Sequence, residues 1–280
     1  MISSHMICVH GAACALLVAA STTAAAIQAK AVLYEDGPVR LQGHLAYDDA
    51  VSGRRPGVLL IHEWWGLNDY AKQRAEQLAA LGYVAFAVDM YGQGKVTHHP
   101  KEAGQWARQV QAQSVQWRRR ALAGLKVLKS DERVDPKRLA AIGYCFGGAS
   151  VLQLAYSGAD LAGVVSFHGS LPVPSDEEAA RIKARILICH GAADAFIAQT
   201  RISKLHESLE RAKVDWQMVY YGQALHSFTN PTAGGYGLEG IGYREDADRR
   251  SWQHMKIFFD EIFAQEPTQA PADVTRAPPS

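Results

Sequence analysis

The most informative stretch of this 280-residue chain covers residues 139–150 and reads Leu139-Ala140-Ala141-Ile142-Gly143-Tyr144-Cys145-Phe146-Gly147-Gly148-Ala149-Ser150. Its first four residues form a short apolar run, which predicts a buried strand, and residues 151–155 predict a helix. The glycine-rich segment 143–148 between them is therefore expected to make a sharp turn from strand to helix.

Cys145 occupies the centre of that turn. The surrounding pattern, Gly-x-nucleophile-x-Gly, is typical of a nucleophile elbow, with cysteine where serine is more common. Side chains at Gly143 and Gly147 would clash where strand and helix cross closely, and the nucleophile itself takes a strained backbone conformation. The helix N-terminus favours a thiolate over a thiol. A buried cysteine without chemistry is the competing interpretation.

The composition is that of an ordinary soluble protein, with 48% hydrophobic and 20% charged residues. The length suits one large α/β domain or two small ones. A net charge of +1 gives no reason to expect nucleic acid or an anionic membrane surface as a partner.

The beginning of the chain, residues 1–26, has the make-up of a signal peptide. Ala12–Ala20 is a short apolar core, too short to span a bilayer, and small residues follow it. Cleavage is expected after Ala26, with residues 29–31 as a second possible site, and the mature protein is expected in the periplasm or outside the cell. No Lys or Arg precedes the apolar core, so an unstructured cytoplasmic extension is the alternative.

The four cysteines divide between the leader and the remaining chain. Cys8 and Cys14 lie in the predicted leader, which leaves Cys145 and Cys189. Cys189 ends a strand-like apolar run and is interpreted as a small core residue. The spacing implies no disulfide framework.

Strand-like and helical segments alternate through residues 32–264, which predicts one α/β domain with a mostly parallel sheet and helices on both faces. The tail, residues 265–280, is rich in Pro and Ala and is expected to be disordered. Strands are predicted at 32–34, 39–47, 57–62, 83–88, 139–142, 161–167, 184–190 and 216–221, and helices at 70–81, 101–128, 151–155, 202–212 and 243–263.

A nucleophile elbow predicts an acid after a later strand and a histidine after the last one. Asp194 follows the strand at 184–190, and His226 follows the strand at 216–221. A cysteine nucleophile needs the imidazole for proton transfer, and the imidazole needs a carboxylate that fixes its tautomer. A helix cap and an ordinary loop histidine are the alternative interpretations of these two residues.

Other polar residues also end strands, and we interpret them as structural. His62, His168 and His190 each end a strand before the last, which favours hydrogen-bonded core or rim histidines. Asp89 is interpreted as a possible cap. The pair His62-Glu63 lacks a second histidine at helical spacing, so no metal site is predicted.

The motif Gly143-Tyr144-Cys145-Phe146-Gly147-Gly148, together with Asp194 and His226-Ser227-Phe228, resembles the dienelactone hydrolase family of α/β-hydrolases. The similarity runs from about Val32 to Phe263. It implies an α/β-hydrolase fold and hydrolysis of carboxylic esters or lactones by a Cys-His-Asp triad, without a cofactor.

The same resemblance implies further roles in the site. Glu63 matches a carboxylate that contacts the resting thiol in relatives and moves when substrate arrives. The backbone amides of Trp64 and Phe146 would form the oxyanion hole. Three aromatic residues are expected to line the substrate pocket, although core positions suit them equally: Trp65, Tyr91 and Tyr144.

One feature departs from the family. Relatives that act on dienelactone bind its carboxylate with two arginines, and the matching positions here read Gly92-Gln93-Gly94-Lys95 and Thr229-Asn230. Lys95 supplies a charge without the bidentate geometry of arginine. The sequence therefore predicts an ester or lactone hydrolase but not the dienelactone substrate.

Two other function classes stay open at this level. A reactive thiol is oxidisable, so a redox-active thiol protein is one alternative. A non-catalytic binding protein on the same fold is the other. The natural substrate and the oligomeric state are not predicted by the sequence.

Overall fold

The computed structural model describes residues 26–264, which form one eight-stranded sheet with helices on both faces. The predicted leader up to residue 25, with Cys8 and Cys14, and the tail 265–280 lie outside the described residues. The strands are β1 (Ile27–Asp36), β2 (Val39–Asp48), β3 (Arg55–Ile61), β4 (Val84–Val88), β5 (Val134–Tyr144), β6 (Gly163–Phe167), β7 (Arg185–Gly191) and β8 (Trp216–Tyr221).

The strands lie in the order β1-β2-β4-β3-β5-β6-β7-β8. β1 pairs antiparallel with β2, and β2 pairs antiparallel with β4. The other six strands, β3 to β8, all run parallel to one another. The helices are α1 (Asp69–Ala80), α2 (Pro100–Gln111), α3 (Ser114–Ser130), α4 (Phe146–Tyr156), α5 (Asp176–Ala179), α6 (Gln199–Arg211) and α7 (Glu245–Phe263), with a 3-10 turn at Ala233–Tyr236.

Alternation along the strands explains the two helical layers. In β3, Leu59 and Ile61 point to the face covered by α2, α3, α4 and α6. Val58 and Leu60 point to the other face, which α1 and α7 cover. Since successive strand residues face opposite sides, a continuous apolar strand fills both cores. The predicted doubly wound, mostly parallel sheet is confirmed.

Several boundaries differ from the sequence predictions. The single helix expected over 101–128 is two helices, with extended backbone at Gln113 between them. Neither Pro nor Gly marks this break. Pro136 lies within β5, where the register against β3 shifts. The helix after the elbow begins at Phe146 and not at Val151, because the glycines of the turn already belong to its first turn.

Two further observations concern residues 26–264. No helix in this range combines the length and apolar character that crossing a bilayer requires. Within the same range, no three His, Cys, Asp or Glu side chains converge on a point where a metal ion would fit.

Candidate active site

Cys145 lies at the junction of β5 and α4 with backbone angles φ 54° and ψ −111°. A non-glycine residue in this region costs on the order of 1–3 kcal/mol of strain. A Cβ atom on Gly143 would lie 2.1 Å from the carbonyl oxygen of Gly147, and one on Gly147 would lie 2.0 Å from that of Ile61. Both contacts are impossible, so the elbow requires glycine at these two positions.

The side chains of Cys145, His226 and Asp194 are in contact. His226 Nε2 lies 3.0 Å from Cys145 Sγ, and His226 Nδ1 lies 2.8 Å from Asp194 Oδ2. Asp194 and His226 are buried, whereas Cys145 is half-buried. The predicted nucleophile, base and acid are therefore brought together in one row.

Backbone contacts hold the two loops that carry Asp194 and His226. Asp194 Oδ1 accepts a hydrogen bond from the Phe196 amide at 3.0 Å, which orients the carboxylate. The His226 amide donates to Gly240 O, and the Gly242 amide donates to His226 O. The histidine is thus fixed against the segment that leads into α7.

The charge state of His226 follows from these contacts. Burial opposes a charged imidazole, but the neighbouring Cys145 sulfur and the Asp194 carboxylate raise the pKa of His226 well above its ordinary value. The arrangement favours an imidazolium ion beside the sulfur. Such a pair is the form in which a thiol is a ready nucleophile.

Glu63 does not take the position implied by the resemblance. Its two oxygens accept hydrogen bonds from Ser227 Oγ at 2.7 Å and from Asn230 Nδ2 at 2.6 Å. The sulfur of Cys145 instead contacts His226. Burial raises the pKa of Glu63, and the two donors offset part of that effect. The expected contact between Glu63 and the thiol is therefore replaced by contacts to the segment after His226, because both carboxyl oxygens already have partners there.

The amides of Trp64 and Phe146, which the resemblance implies as oxyanion donors, belong to residues that lie beside Cys145 in the cavity wall. Phe146 is the first residue of α4, so its N–H has no partner within the helix. Tyr91 Oη donates to the Trp64 carbonyl at 3.1 Å, which fixes the peptide that follows Trp64. Within residues 26–264, neither amide donates to another protein group. Both residues line the cavity at Cys145.

A cavity of about 370 Å³ opens at Cys145 and His226. Its walls are mainly apolar, and Glu239 is the charged side chain at its edge apart from His226. No lysine or arginine is among the lining residues that the structure describes. The apolar walls consist of Trp64, Phe146, Phe196, Ile197, Leu238 and Ile241.

The aromatic residues predicted to line the pocket lie elsewhere. Trp65 is buried and stacks on Tyr236 with ring centroids 3.9 Å apart. Tyr144 belongs to the core on the opposite face of the sheet and stacks on Phe167. Tyr91 lies behind the wall and supports Trp64. None of the three therefore lines the cavity at Cys145. Tyr144 faces away from it because neighbouring residues of β5 face opposite sides of the sheet.

The sequence did not indicate eight of the twelve lining residues, among them Phe196, Ile197, Leu238, Glu239 and Ile241. Phe196 and Ile197 follow Asp194 closely, so the loop position of the acid could have indicated them. Residues 238–241 belong to the long connection between β8 and α7. Nothing in their composition marks them as part of a site, and only the folded chain brings them to Cys145.

The remaining strand-end polar residues are buried, but only some have the predicted hydrogen bonds. His62 Nε2 accepts from the Met90 amide at 3.2 Å, and both ring nitrogens of His168 have partners. His190 Nδ1 has no hydrogen-bond partner among residues 26–264, so the prediction of a hydrogen-bonded histidine is wrong for that ring nitrogen. Asp89 Oδ1 accepts hydrogen bonds from the amides of residues 91–92 and caps the turn after β4.

Known proteins resemble this chain over most of its length. A model described as the dienelactone hydrolase family matches residues 41–263. A solved dienelactone hydrolase-like promiscuous phosphotriesterase from metagenomic libraries is 42% identical, with a TM-score of 0.83, and the match covers 85% of this chain and 99% of that one.

Two relatives add to the comparison. An uncharacterised protein of Caenorhabditis elegans is 35% identical over 144 residues, which are 51% of this chain and 91% of that protein. A protein of Aquifex aeolicus (strain VF5), described as a candidate carboxymethylenebutenolidase, is 26% identical over 204 residues, 71% of this chain and 86% of its own length. Since the matched family region carries the elbow, the acid and the histidine on an α/β-hydrolase fold, this chain belongs to the dienelactone hydrolase family.

Proposed function

We propose that this protein hydrolyses carboxylic esters or lactones, with Cys145 as nucleophile, His226 as the proton-transfer group and Asp194 as its orienting carboxylate. The observation that carries the proposal is the row of contacts, 3.0 Å from Cys145 Sγ to His226 Nε2 and 2.8 Å from His226 Nδ1 to Asp194 Oδ2. Membership of the dienelactone hydrolase family supports the same class of reaction.

In the first half of the reaction, the sulfur of Cys145 attacks the acyl carbon and forms a C–S bond. The carbonyl oxygen takes up the negative charge and accepts hydrogen bonds from the amides of Trp64 and Phe146. The C–O bond to the alcohol then breaks, and His226 donates its Nε2 proton to the leaving oxygen. For a lactone, this alcohol stays attached to the acyl group.

In the second half, water attacks the thioester carbon. His226, now neutral, accepts the proton of that water, and the C–S bond breaks to release the carboxylic acid and the thiolate. Asp194 holds the Nδ1 proton throughout, so His226 keeps the tautomer that presents Nε2 to the reacting atoms. Glu63 takes no part in these bond changes. It accepts hydrogen bonds from Ser227 and Asn230 and so holds the segment that follows His226.

The lining of the cavity favours small neutral substrates. A carboxylate on the substrate would lose its hydration among apolar walls and would meet Glu239 in place of a cation. The charge distribution therefore favours uncharged esters or lactones over anionic ones such as dienelactone.

A phosphotriester is a second candidate substrate. The 42% identical solved relative is a dienelactone hydrolase-like promiscuous phosphotriesterase. Phosphotriesters are neutral, and the apolar cavity without lysine or arginine in its described lining suits them. The sulfur of Cys145 would form an S–P bond and expel an alkoxide or aryloxide, which His226 would protonate. Water would then cleave the S–P bond, as in the acyl case.

The structure gives little support to a redox function. Cys189 is fully buried, and burial raises the pKa of its thiol to about 12. Its sulfur lies beside the hydroxyl of Tyr221 within the core. A resolving cysteine needs access and thiolate character, and Cys189 has neither.

The test is hydrolysis of a panel of p-nitrophenyl esters, neutral lactones and a neutral aryl phosphotriester. Cys145→Ala and His226→Ala should each abolish turnover with an unchanged circular dichroism spectrum, because members of one catalytic unit are not additive. Cys189→Ala is the matched control and should keep wild-type kcat. Turnover in Cys145→Ala at the wild-type rate would overturn the mechanism. A wild-type protein that binds but does not turn over the panel would favour a binding function.

A further inference from the structure

His168 lies at the end of β6, next to Phe167, and has no role in the mechanism above. It is fully buried, and its backbone takes φ 40°, in the left-handed region that non-glycine residues seldom adopt. Cys145 and Ser227 also have positive φ. Strained backbone thus occurs at three residues of the candidate site, and strain at such sites often serves function.

Both ring nitrogens of His168 have partners. Nδ1 lies 3.1 Å from the amide nitrogen of Cys145, and Nε2 lies 2.7 Å from Thr229 Oγ1. The Cys145 amide also lies 3.0 Å from the carbonyl oxygen of Phe167, so it is shared between two acceptors. An amide only donates, so Nδ1 must carry the lone pair and Nε2 the proton, which it donates to Thr229.

Thr229 is itself firmly held. Its hydroxyl lies 2.6 Å from Tyr70 Oη, and its carbonyl accepts a hydrogen bond from Arg74 Nη2 at 2.8 Å. Arg74 is paired with Asp248 at 2.5 Å, and its guanidinium is almost entirely buried. A polar chain therefore connects the elbow amide, through His168 and Thr229, to α1 and α7.

The order of the sheet explains why such a connection matters. Cys145 follows β5, whereas His226 follows β8, and β6 and β7 lie between these strands. The loop after β8 must reach back across two strands to bring His226 to the sulfur. His168 directly follows β6, in the intervening space, and its ring packs edge-on against that of His226 with centroids 5.4 Å apart.

We propose that His168 is a positioning residue that joins the Cys145 elbow to the Thr229 segment and so keeps His226 Nε2 in contact with Cys145 Sγ. The inference rests on the proposed roles of Cys145 and His226. Neutral His168 is the form that this geometry uses, since protonated Nδ1 would lose its bond from the Cys145 amide. Burial, and the charge on His226, lower the pKa of His168 well below its ordinary value, in agreement with a neutral ring.

The test compares His168→Ala, which removes both contacts, with His168→Asn. The asparagine oxygen occupies about the place of Nδ1, and asparagine tolerates positive φ.

The main readout is the rate of alkylation by iodoacetamide between pH 5 and 10, which requires no substrate. In His168→Ala, the midpoint of this profile should move to higher pH, because the imidazolium is no longer held at the sulfur. Esterase kcat should fall on the order of tenfold or more with little change in KM, since small misplacements of reacting groups are costly. His168→Asn should recover part of both.

Thr229→Val tests the second contact, because valine keeps the shape and removes the hydroxyl. Its effect on kcat should not add to that of His168→Ala, since both changes break one connection. His254→Asn is the control. It removes an imidazole on α7 that contacts Tyr221 Oη at 2.7 Å, and it should lower Tm without moving the alkylation profile.

Two results would overturn the proposal. One is a His168→Ala protein that loses only thermal stability, with its alkylation profile and kcat unchanged. The other is strict additivity of His168→Ala and Thr229→Val. If instead the alkylation profile shifts as expected but the wild-type protein hydrolyses none of the tested esters, the positioning role stands and the proposed function fails.

Discussion

Tyr236 stacks on Trp65 with ring centroids 3.9 Å apart and the ring planes 17° from parallel. Trp65 directly follows Trp64, whose amide is a proposed oxyanion donor. Tyr236 directly precedes the segment that supplies Leu238 and Ile241 to the cavity. The stack therefore packs the irregular connection that carries this apolar wall against the segment that follows β3.

Loss of this stack should affect the binding of large substrates first. Tyr236→Ala removes the stacking contact, so KM for esters with long or bulky acyl groups should rise several-fold. The kcat for p-nitrophenyl acetate should stay within about twofold, because the contacts among Cys145, His226 and Asp194 are unchanged. Tyr236→Phe keeps the aromatic contact and is the control. Equal effects of the two substitutions would show that the hydroxyl and not the stack matters.

Burial of Glu63 should make stability depend on pH. Its pKa is raised in the folded state from a reference value of 4.5, so the folded protein keeps a proton that the unfolded chain has already released. The free energy of unfolding should therefore fall as pH rises from about 4.5 through the folded-state pKa, by about 1.4 kcal/mol for each unit of elevation. Urea unfolding at several pH values measures this slope.

Glu63→Gln should flatten that slope, because the isosteric amide does not ionise. Glu239→Gln, at an exposed carboxylate, is the control and should leave the slope unchanged. A wild-type slope in Glu63→Gln would assign the dependence to another group, such as His226.

The charge of Glu239 should make the protein prefer neutral esters to anionic ones. Among matched esters, kcat/KM should be higher for the neutral than for the anionic member, and Glu239→Lys should reduce or reverse this ratio. Asn230, at one of the family's arginine positions, is unsuitable for this test because it is fully buried against Glu63. The shift should weaken at high salt, as expected for an exposed charge.

Glu207→Lys makes the same charge change on an exposed part of α6 and controls for net charge. If Glu207→Lys alters the ratio of kcat/KM for neutral and anionic esters as much as Glu239→Lys does, the preference is due to the overall electrostatic field of the protein and not to the cavity. A preference of the wild-type protein for the anionic ester would contradict the role of the cavity charge.

Gly147, in the elbow, should not tolerate substitution by a residue with a side chain. Gly147→Ala places a Cβ 2.0 Å from the carbonyl oxygen of Ile61, so β3 and α4 would have to separate. We expect little soluble protein, or a Tm many degrees below that of the wild type, since one kcal/mol corresponds to about 2–4 °C in a domain of this size. Gly222→Ala is the control, because no atom lies within 4 Å of the added Cβ. A stable, active Gly147→Ala protein would mean that the elbow is more open than described.

Export and processing remain a prediction. We propose that residues 1–26 are removed, since cleavage after Ala26 would leave β1 complete from Ile27, whereas cleavage at residues 29–31 would shorten it. Intact-mass measurement on protein from the native host is the check. A chain that still begins at Met1 or Met6, recovered from the cytoplasm, would contradict it.

Much of the fold and the site could be predicted from residue patterns. The glycines around Cys145 indicated the elbow because they exclude other side chains at close backbone contacts. The apolar run before His62 indicated a strand buried on both faces. The order of Cys145, Asp194 and His226 predicted their meeting, because the carboxyl ends of parallel strands share one edge of the sheet.

Other features depend on segments that approach only after folding. Tyr144 precedes the nucleophile, yet the strand turns its side chain into the opposite core. Glu63 binds Ser227 and Asn230 because these donors arrive from the loop after β8. The cavity wall at residues 238–241 carries no local signal, and its place depends on Tyr236 meeting Trp65. Periodicity and turn chemistry act over a few neighbouring residues, whereas pocket walls and hydrogen-bond partners are set by packing between distant parts of the chain.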